Sequence, residues 1–221
     1  NDVDCLHAPL YGMHGDYRQR VQSIYQPWLL TNLVGKTIDS LHYNVGYMAN
    51  DSWCNQTWVI SVGTATRNNL YAAFDNDAVL KEVYRGPLTA TSSHGMGIKL
   101  DTVFTYTGGR LLIQFTNAST GGYSSTWFKG ATPDYVGATR WATTYGGGNV
   151  MSLTGTREDQ LPEVTFHYCT EGDLIDCRSF NETSMEVCDS LVWRGNTYTA
   201  SGYYADTLSN IHGCDSIISL H

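Results

Sequence analysis

The stretch at residues 103–117, VFTYTGGRLLIQFTN, restricts most strongly what this chain can fold into. Its opening residues are β-branched and aromatic, and the pair Gly108-Gly109 allows the positive φ angles of a tight turn. Residues 110–115 then form a run that fits a central strand buried on both faces. We predict a β-hairpin here, with other strands pairing around it in one antiparallel β-sandwich over residues 1–168.

The rest of the chain supports an all-β class, because short alternating segments recur and nothing resembles a long amphipathic helix. We predict a loop or a single helical turn at residues 67–78. Further strands are predicted at residues 18–25, 37–48, 58–62, 79–84, 95–100, 126–129, 139–145, 150–153 and 161–168.

From Cys169 onward the chain becomes polar and loop-like, so we place a domain boundary after residue 168. Residues 169–221 are interpreted as a small β module, with a hairpin at residues 190–199 and strands at residues 202–208 and 215–220. A module of this size cannot bury a self-sufficient core, so it should need a disulfide, a neighbour or both.

Charge and hydropathy exclude several functions. The net charge is −8 and no Lys/Arg cluster occurs, which argues against nucleic-acid binding through phosphates and against docking on an anionic membrane. No run of about 18 apolar residues could span a bilayer. The chain starts at Asn1 and stops within an apolar alternation, so we expect a fragment of an exported protein, secreted or displayed at the cell surface.

Six cysteines are present and none forms a C-x-x-C pair, which disfavours a zinc knuckle. An even number of cysteines in such a chain predicts disulfides formed in an oxidising compartment. Buried free thiols are the alternative. The preferred pairing is Cys188–Cys214, Cys169–Cys177 and Cys5–Cys54.

Motifs for catalysis are missing, including Gly-x-Ser-x-Gly, His-Glu-x-x-His and a phosphate-binding glycine loop. The seven histidines are scattered singly, and we interpret them as isolated polar or capping residues. No pair of carboxylates can be assigned to a glycosidase cleft. The sequence therefore predicts that this chain is not an enzyme.

Two acidic stretches are candidate calcium ligands, Asp75 with Asp77 and Asp2 with Asp4, because calcium takes oxygen ligands from such loops. Solvated acidic residues in turns are the alternative. A sugar-binding site would use aromatic faces beside polar groups, although core packing of the same rings is the competing interpretation. The candidates are Tyr123, Trp127, Arg140, Trp141 and Trp53.

The succession TWVISVG, VLKEVYRG, FTYTGGRLLIQFTN and LPEVTFHY resembles the jelly-roll β-sandwich of cleaved-adhesin domains, found in gingipain-like haemagglutinin regions and in secreted or surface proteins of Bacteroidetes. The resemblance covers residues 15–168. The tail, with Cys-Asp-Ser at 188 and 214 and a Trp-Arg-Gly hairpin, is similar to a tandem β repeat of the same proteins. This resemblance implies adhesion or carbohydrate binding, often with structural calcium, and offers no catalytic motif.

We therefore expect a non-catalytic, secreted or surface-exposed adhesin or carbohydrate-binding module, with a glycan or a host glycoprotein as its partner. It needs no cofactor beyond possible structural calcium. The alternative is a structural spacer, or an ancillary domain of a larger surface protein or secreted hydrolase. The sequence leaves the oligomeric state open.

Overall fold

A computed structural model describes residues 2–145, 148–169, 179–183, 189–202, 204–209 and 215–220. The chain divides into two units, Asn1–Tyr168 and Cys169–His221. Within the described residues, helical structure is limited to 3₁₀ turns at Gly12–His14, Pro27–Leu29, Thr31–Leu33 and Val150–Ser152. None of the described helices has the length and apolar character needed to cross a membrane.

The described part of the first unit contains fourteen strands. In chain order they are β1 (Asp2–Cys5), β2 (Arg18–Tyr25), β3 (Thr37–Tyr43), β4 (Val45–Met48), β5 (Trp58–Thr64), β6 (Lys81–Gly86), β7 (Thr89–Thr91), β8 (Gly95–Thr105), β9 (Leu111–Asn117), β10 (Thr126–Ala131), β11 (Thr139–Thr144), β12 (Thr156–Glu158), β13 (Leu161–Pro162) and β14 (Val164–Cys169).

These strands form three antiparallel sheets. The six-stranded sheet has the order β12-β11-β2-β9-β5-β6, and the β8 sheet has the order β14-β3-β8-β7. In the β10 sheet, β10 pairs with β1 on one side and with β4 and β13 on the other. The chain changes sheet at almost every connection, as is typical of jelly-roll sandwiches.

The β8 and β10 sheets are joined by two bent strands. A single residue, Asn44, separates β3 from β4, and Glu163 separates β13 from β14. At both bends the backbone is held by Lys129 of β10, whose N–H donates to Asn44 O (2.8 Å) and whose carbonyl accepts from Glu163 N (2.9 Å). The strands predicted as continuous at residues 37–48 and 161–168 are therefore each divided in two.

One core of buried side chains draws on all three sheets. The Trp53 ring meets Trp58 and Phe128 with centroids 6.2 Å apart, and Tyr43 of the β8 sheet meets Phe115 of the six-stranded sheet edge-on at 5.7 Å. Edge-to-face contacts of this kind stabilise aromatic cores beyond the area they bury. The prediction of an all-β, antiparallel sandwich is confirmed.

The predicted hairpin at residues 103–117 is wrong. Strands β8 and β9 belong to different sheets, and the turn between them carries the chain from one layer to the other. Gly108 and Gly109 do adopt positive φ angles of 102° and 82°. Because β9 already pairs with β2 on one edge and β5 on the other, no edge remains for β8. Buried central strands need two neighbours, and here neither is adjacent in sequence.

A second strand prediction, at residues 150–153, is also wrong, because Val150–Ser152 is a 3₁₀ turn. The Asn149 side chain accepts a hydrogen bond from the backbone N–H of Met151, which caps this turn and favours it over an extended conformation.

The second unit contains, in the described residues, β15 (Ser179–Thr183), β16 (Leu191–Trp193), β17 (Asn196–Tyr198), β18 (Tyr204–Ser209) and β19 (Asp215–Leu220). Strands β16 and β17 form the predicted hairpin, turning at Arg194 (φ 49°) and Gly195 (φ 83°). Two consecutive positive φ angles are typical of a type I′ turn, which suits the twist of paired strands. Strand β19 pairs antiparallel with β18 and parallel with β15.

The predicted Cys5–Cys54 disulfide is not formed, because both cysteines are buried free thiols. Cys5 lies on β1 beside Gly130, whereas Cys54 closes a turn in which its N–H donates to Asp51 O. Burial raises the pKa of Cys5 to about 12 and that of Cys54 to about 11. The other two predicted pairs include Cys177, Cys188 and Cys214, which lie outside the described residues.

We expect Cys5 and Cys54 to be alkylated only after unfolding, and without any reductant, because each thiol is free but buried. Peptide mapping after iodoacetamide treatment in native buffer and in guanidinium chloride would check this. A Cys5–Cys54 cross-linked peptide from unfolded, unreduced protein would contradict it.

Gly130→Ala should destabilise the sandwich by about 1–3 kcal/mol, the usual cost of overpacking. An added Cβ would lie 2.3 Å from Cys5 Sγ and 2.4 Å from the backbone oxygen of Leu161. The control is Gly97→Ala on β8, whose Cβ would come no closer than 3.9 Å to any atom, and whose effect should stay within about 0.5 kcal/mol. Urea unfolding of both variants measures the difference, and equal midpoints would contradict the close packing of β1, β10 and β13.

Candidate functional site

Strand β10 has one face in the core and one face outside. Thr126 and Phe128 are 1% and 0% exposed. The residues that alternate with them, Trp127 and Lys129, are half-buried. Because side chains alternate along a strand, the burial of Phe128 directs Trp127 and Lys129 to the outer face of the β10 sheet. Trp127 was predicted as a ligand-binding residue, and the structure places it on this outer face.

Trp127 forms a stacked pair with Tyr47 of β4. The two residues are directly opposite in the strand register, and their ring centroids lie 4.5 Å apart with planes inclined by 22°. Tyr47 is 44% exposed. The Trp127 indole N–H and the Tyr47 hydroxyl make no hydrogen bond among the described residues. Neither group is buried away from solvent. Both groups can therefore donate to a bound molecule.

An ion pair borders this aromatic pair. Asp4 of β1 lies opposite Lys129, and Lys129 Nζ is 2.9 Å from Asp4 Oδ1. The backbone groups of Lys129 bond toward Asn44 and Glu163, away from β1, so Asp4 and Lys129 form the closer, non-hydrogen-bonded type of antiparallel pair. Their side chains are 47% and 42% exposed, which leaves the charges accessible to solvent.

Gly46 keeps the space between the rings and the ion pair open. A Cβ at this position would lie 2.9 Å from Trp127 Cδ1, 3.1 Å from Asp4 Oδ1 and 3.3 Å from Lys129 Cε. Gly46 therefore lies next to all three side chains, and the Cβ of a larger residue would press against them. We call the set Asp4, Gly46, Tyr47, Trp127 and Lys129 the β10 platform.

The other predicted ligand-binding residues lie elsewhere. Tyr123 is 67% exposed in the loop before β10, where its backbone oxygen accepts from Ser52 Oγ. Trp53 is fully buried, and its indole N–H donates to Thr126 Oγ1 (3.0 Å), so the prediction that it meets an external ligand is wrong. Core packing, the competing interpretation, applies to Trp53.

Arg140 is also a structural residue. It is 6% exposed, and its guanidinium donates to four backbone carbonyls, those of Leu70, Tyr71, Thr154 and Gly155. These bonds tie β11 to two neighbouring loops and leave the side chain no access to a surface ligand. The prediction of a ligand-binding role for Arg140 is therefore corrected.

Trp141 belongs to a cluster that the sequence did not predict. His7 stacks on Trp141 at 4.2 Å with nearly parallel planes and makes a hydrogen-bonded pair with Glu158. Tyr11 lies between the two imidazoles, 4.3 Å from His7 and 4.4 Å from His14. We call these residues, with Tyr17 stacked on His14 at 4.5 Å, the histidine cluster.

The histidine cluster attaches the N-terminal segment to β11 and β12. His14 Nδ1 lies 3.2 Å from Thr143 Oγ1, while His7 reaches Glu158. Burial lowers the pKa of His14, with Asp16 acting in the opposite direction and His7 adding to the decrease. The sequence contains one weak signal for this cluster, the spacing HxxxYxxH of His7, Tyr11 and His14. It would have been informative only if the 3₁₀ turn at Gly12–His14 had been predicted.

The acidic residues predicted to bind calcium have separate roles. Asp75 is 1% exposed, and its carboxylate accepts from the backbone N–H groups of Thr66 and Arg67 and from Thr66 Oγ1. Burial alone would raise the pKa of Asp75, but these hydrogen bonds together lower it below its usual value. Asp77 is exposed, Asp2 lies on β1, and Asp4 pairs with Lys129.

The described residues include no group of three or more His, Cys, Asp or Glu side chains that could hold a metal ion. Asp75 is satisfied by the loop that it organises. Calcium binding by these acidic residues stays a prediction from the sequence.

Comparisons of the chain with protein-family models, curated proteins and solved structures gave no match. The resemblance to cleaved-adhesin domains therefore stays a hypothesis that rests on the sequence motifs. The geometry of the β10 platform is the basis for proposing a function.

The pKa of His14 predicts a pH effect on stability. The unfolded His14, with a pKa of about 6.5, binds a proton more readily than the folded one, so protonation should destabilise the fold as pH falls below about 6.5. His14→Gln keeps a polar partner for Thr143 but cannot titrate. Between pH 7 and pH 5 the urea midpoint should fall less in the variant than in the parent protein, and equal falls would contradict a lowered pKa of His14.

Proposed function

We propose that this chain is a non-catalytic glycan-binding module of an exported protein, and that the β10 platform is its binding site. The observation that carries the proposal is the partly exposed Trp127–Tyr47 pair beside the Asp4–Lys129 ion pair, on the outer face of a sheet whose other face lies in the core.

The chemistry of the platform suits a sugar. A pyranose ring has an apolar C–H face that packs on an aromatic plane, and hydroxyls at its edge that need both donors and acceptors. On the platform, the Trp127 and Tyr47 rings provide the apolar surface. The Asp4 carboxylate accepts from hydroxyls, while Lys129, the Trp127 indole and the Tyr47 hydroxyl donate.

The platform is also held rigidly. Its residues lie on β1, β4 and β10. Strand pairing places Asp4 opposite Lys129 and Tyr47 opposite Trp127, and the β4–β10 register shifts between Trp127 and Phe128, at Gly46. Sites built on regular elements are placed more accurately than sites on loops, which lowers the entropy lost on binding. The platform carries one charge of each sign, and the chain has a net charge of −8, so neutral glycans suit it better than anionic ones.

The resemblance to cleaved-adhesin domains supports the same conclusion independently of the geometry, since it implies adhesion at the cell surface. A secreted or surface location and a host glycoprotein partner come from this resemblance, whereas the choice of residues comes from the platform.

Trp127→Ala and Tyr47→Ala should each weaken glycan binding about tenfold or more, because each removes one ring of the stacked pair at the centre of the site. A glycan array, followed by calorimetry on the best ligand, measures this effect. The matched control is Trp28→Ala. Trp28 is 63% exposed on a 3₁₀ turn outside the platform, and its replacement should leave affinity unchanged.

Equal losses for Trp28→Ala and Trp127→Ala would show that the effect is not specific to the platform. If the folded protein bound no glycan, with calcium or with a chelator, the spacer hypothesis would replace the present one.

A further inference from the structure

A separate cavity of about 260 Å³ opens between the six-stranded sheet and the β8 sheet, at the crossover from β8 to β9. We call it the crossover cleft. Its wall combines apolar side chains with two cations, and the residues that matter are Val62, Val79, Lys81, Phe104, Arg110 and Leu111.

Neither cation of the cleft has a carboxylate partner among the described residues. Lys81 Nζ donates only to the backbone oxygen of Val103 (3.3 Å), and Arg110 donates only from Nε, to Arg67 O (2.9 Å). The two terminal amino groups of Arg110 make no hydrogen bond there. None of the described residues that line the cleft is acidic.

Ion pairs with carboxylates do form elsewhere in the same layers. Arg85, Lys99 and Lys129 each form an ion pair with a carboxylate, at 2.6, 2.7 and 2.9 Å. Although the chain has 21 acidic and 13 basic residues, two of its cations line this cleft without an ion pair among the described residues, which gives the cleft a local positive charge. Such a concave, partly apolar site strengthens the attraction for an anion.

The apolar part of the cleft is both exposed and fixed in position. Val79 is 89% exposed at its rim, while Phe104 and Leu111, at 9% and 4%, form its floor. A Cβ at Gly63 would lie 2.3 Å from Val79 O, so the absence of a side chain there lets the segment before β6 lie against β5. The cleft is therefore pre-formed by the strands and by the Gly108-Gly109 turn.

We propose that the crossover cleft binds small monocarboxylates that carry an apolar tail. The carboxylate would lie between Lys81 and the free amino groups of Arg110, where charge-assisted hydrogen bonds are strong, and the tail would cover Val79, Phe104 and Leu111. The cavity is slightly smaller than the range of about 300–1,000 Å³ typical of drug-sized ligands, which favours a short aliphatic or single-ring acid. The proposal is independent of the glycan-binding function.

The test titrates butanoate, hexanoate and octanoate into ¹⁵N-labelled protein, with octanamide as the neutral match for octanoate. We expect saturable shifts of the amide resonances at residues 104–111, affinity that rises with tail length, and octanamide binding about tenfold or more weaker than octanoate. Equal binding of acid and amide, or no saturable shift with any acid, would overturn the proposal.

Single substitutions then test whether Arg110 and Lys81 bind the carboxylate. Arg110→Gln and Lys81→Gln should each weaken octanoate binding about tenfold, while Arg85→Gln, which removes an exposed arginine paired with Glu82, should leave it unchanged. If Arg110→Gln does not fold, the octanoate affinity of Lys81→Gln tests the proposal, because Lys81 is exposed and its replacement should not affect folding. Unchanged affinity in Lys81→Gln, or an equal loss in Arg85→Gln, would overturn the assignment.

Discussion

The burial of Phe128 is the constraint on which the proposed site depends. Its ring lies against Trp53 in the core, and because side chains alternate along β10, this contact directs Trp127 and Lys129 outward. If the pairing register of β10 shifted by one residue, Lys129 and Trp127 would both point into the core. Burying the charged lysine there would cost more free energy than the core packing could offset. The packing of Phe128 in the core therefore also determines that the ligand-binding candidates on β10 point outward.

The bends at Asn44 and Glu163 extend this constraint to the whole layer. Lys129 holds both bends through its backbone while its side chain joins the platform, so the strand that carries the site also connects the β8 and β10 sheets. The crossover cleft, by contrast, is formed at the other connection between layers, where the chain passes from β8 to β9. In each case a place where the chain changes sheet leaves polar groups exposed beside apolar ones.

The sequence predicted the class of the fold well, because period-two alternation and turn glycines are local signals. It did not predict which strands are neighbours. The glycines at 108 and 109 adopt the expected backbone conformation, yet the turn joins two layers, since the pairing of β9 is decided by distant strands. The same limit explains the divided strands, because both bends make hydrogen bonds to Lys129, which is distant in sequence, although Pro162 directly precedes the second bend.

Site residues were predictable only where a local pattern fixes the side-chain direction. Trp127 alternates with a core phenylalanine, so its outward position follows from the strand. Trp53 and Arg140 were indistinguishable by sequence from surface residues, because burial there depends on contacts with Thr126 and with distant carbonyls. Tyr47 and the histidine cluster were missed for the same reason, since their partners lie far away in sequence.

The most direct test is a titration of ¹⁵N-indole-labelled protein with its best glycan ligand, followed through the resonances of the six tryptophans. We predict that the Trp127 indole N–H shifts on binding, while those of the buried Trp53 and Trp58 stay in place. A shift confined to Trp28 or Trp141, with Trp127 unmoved at saturation, would contradict the assignment of the β10 platform as the binding site.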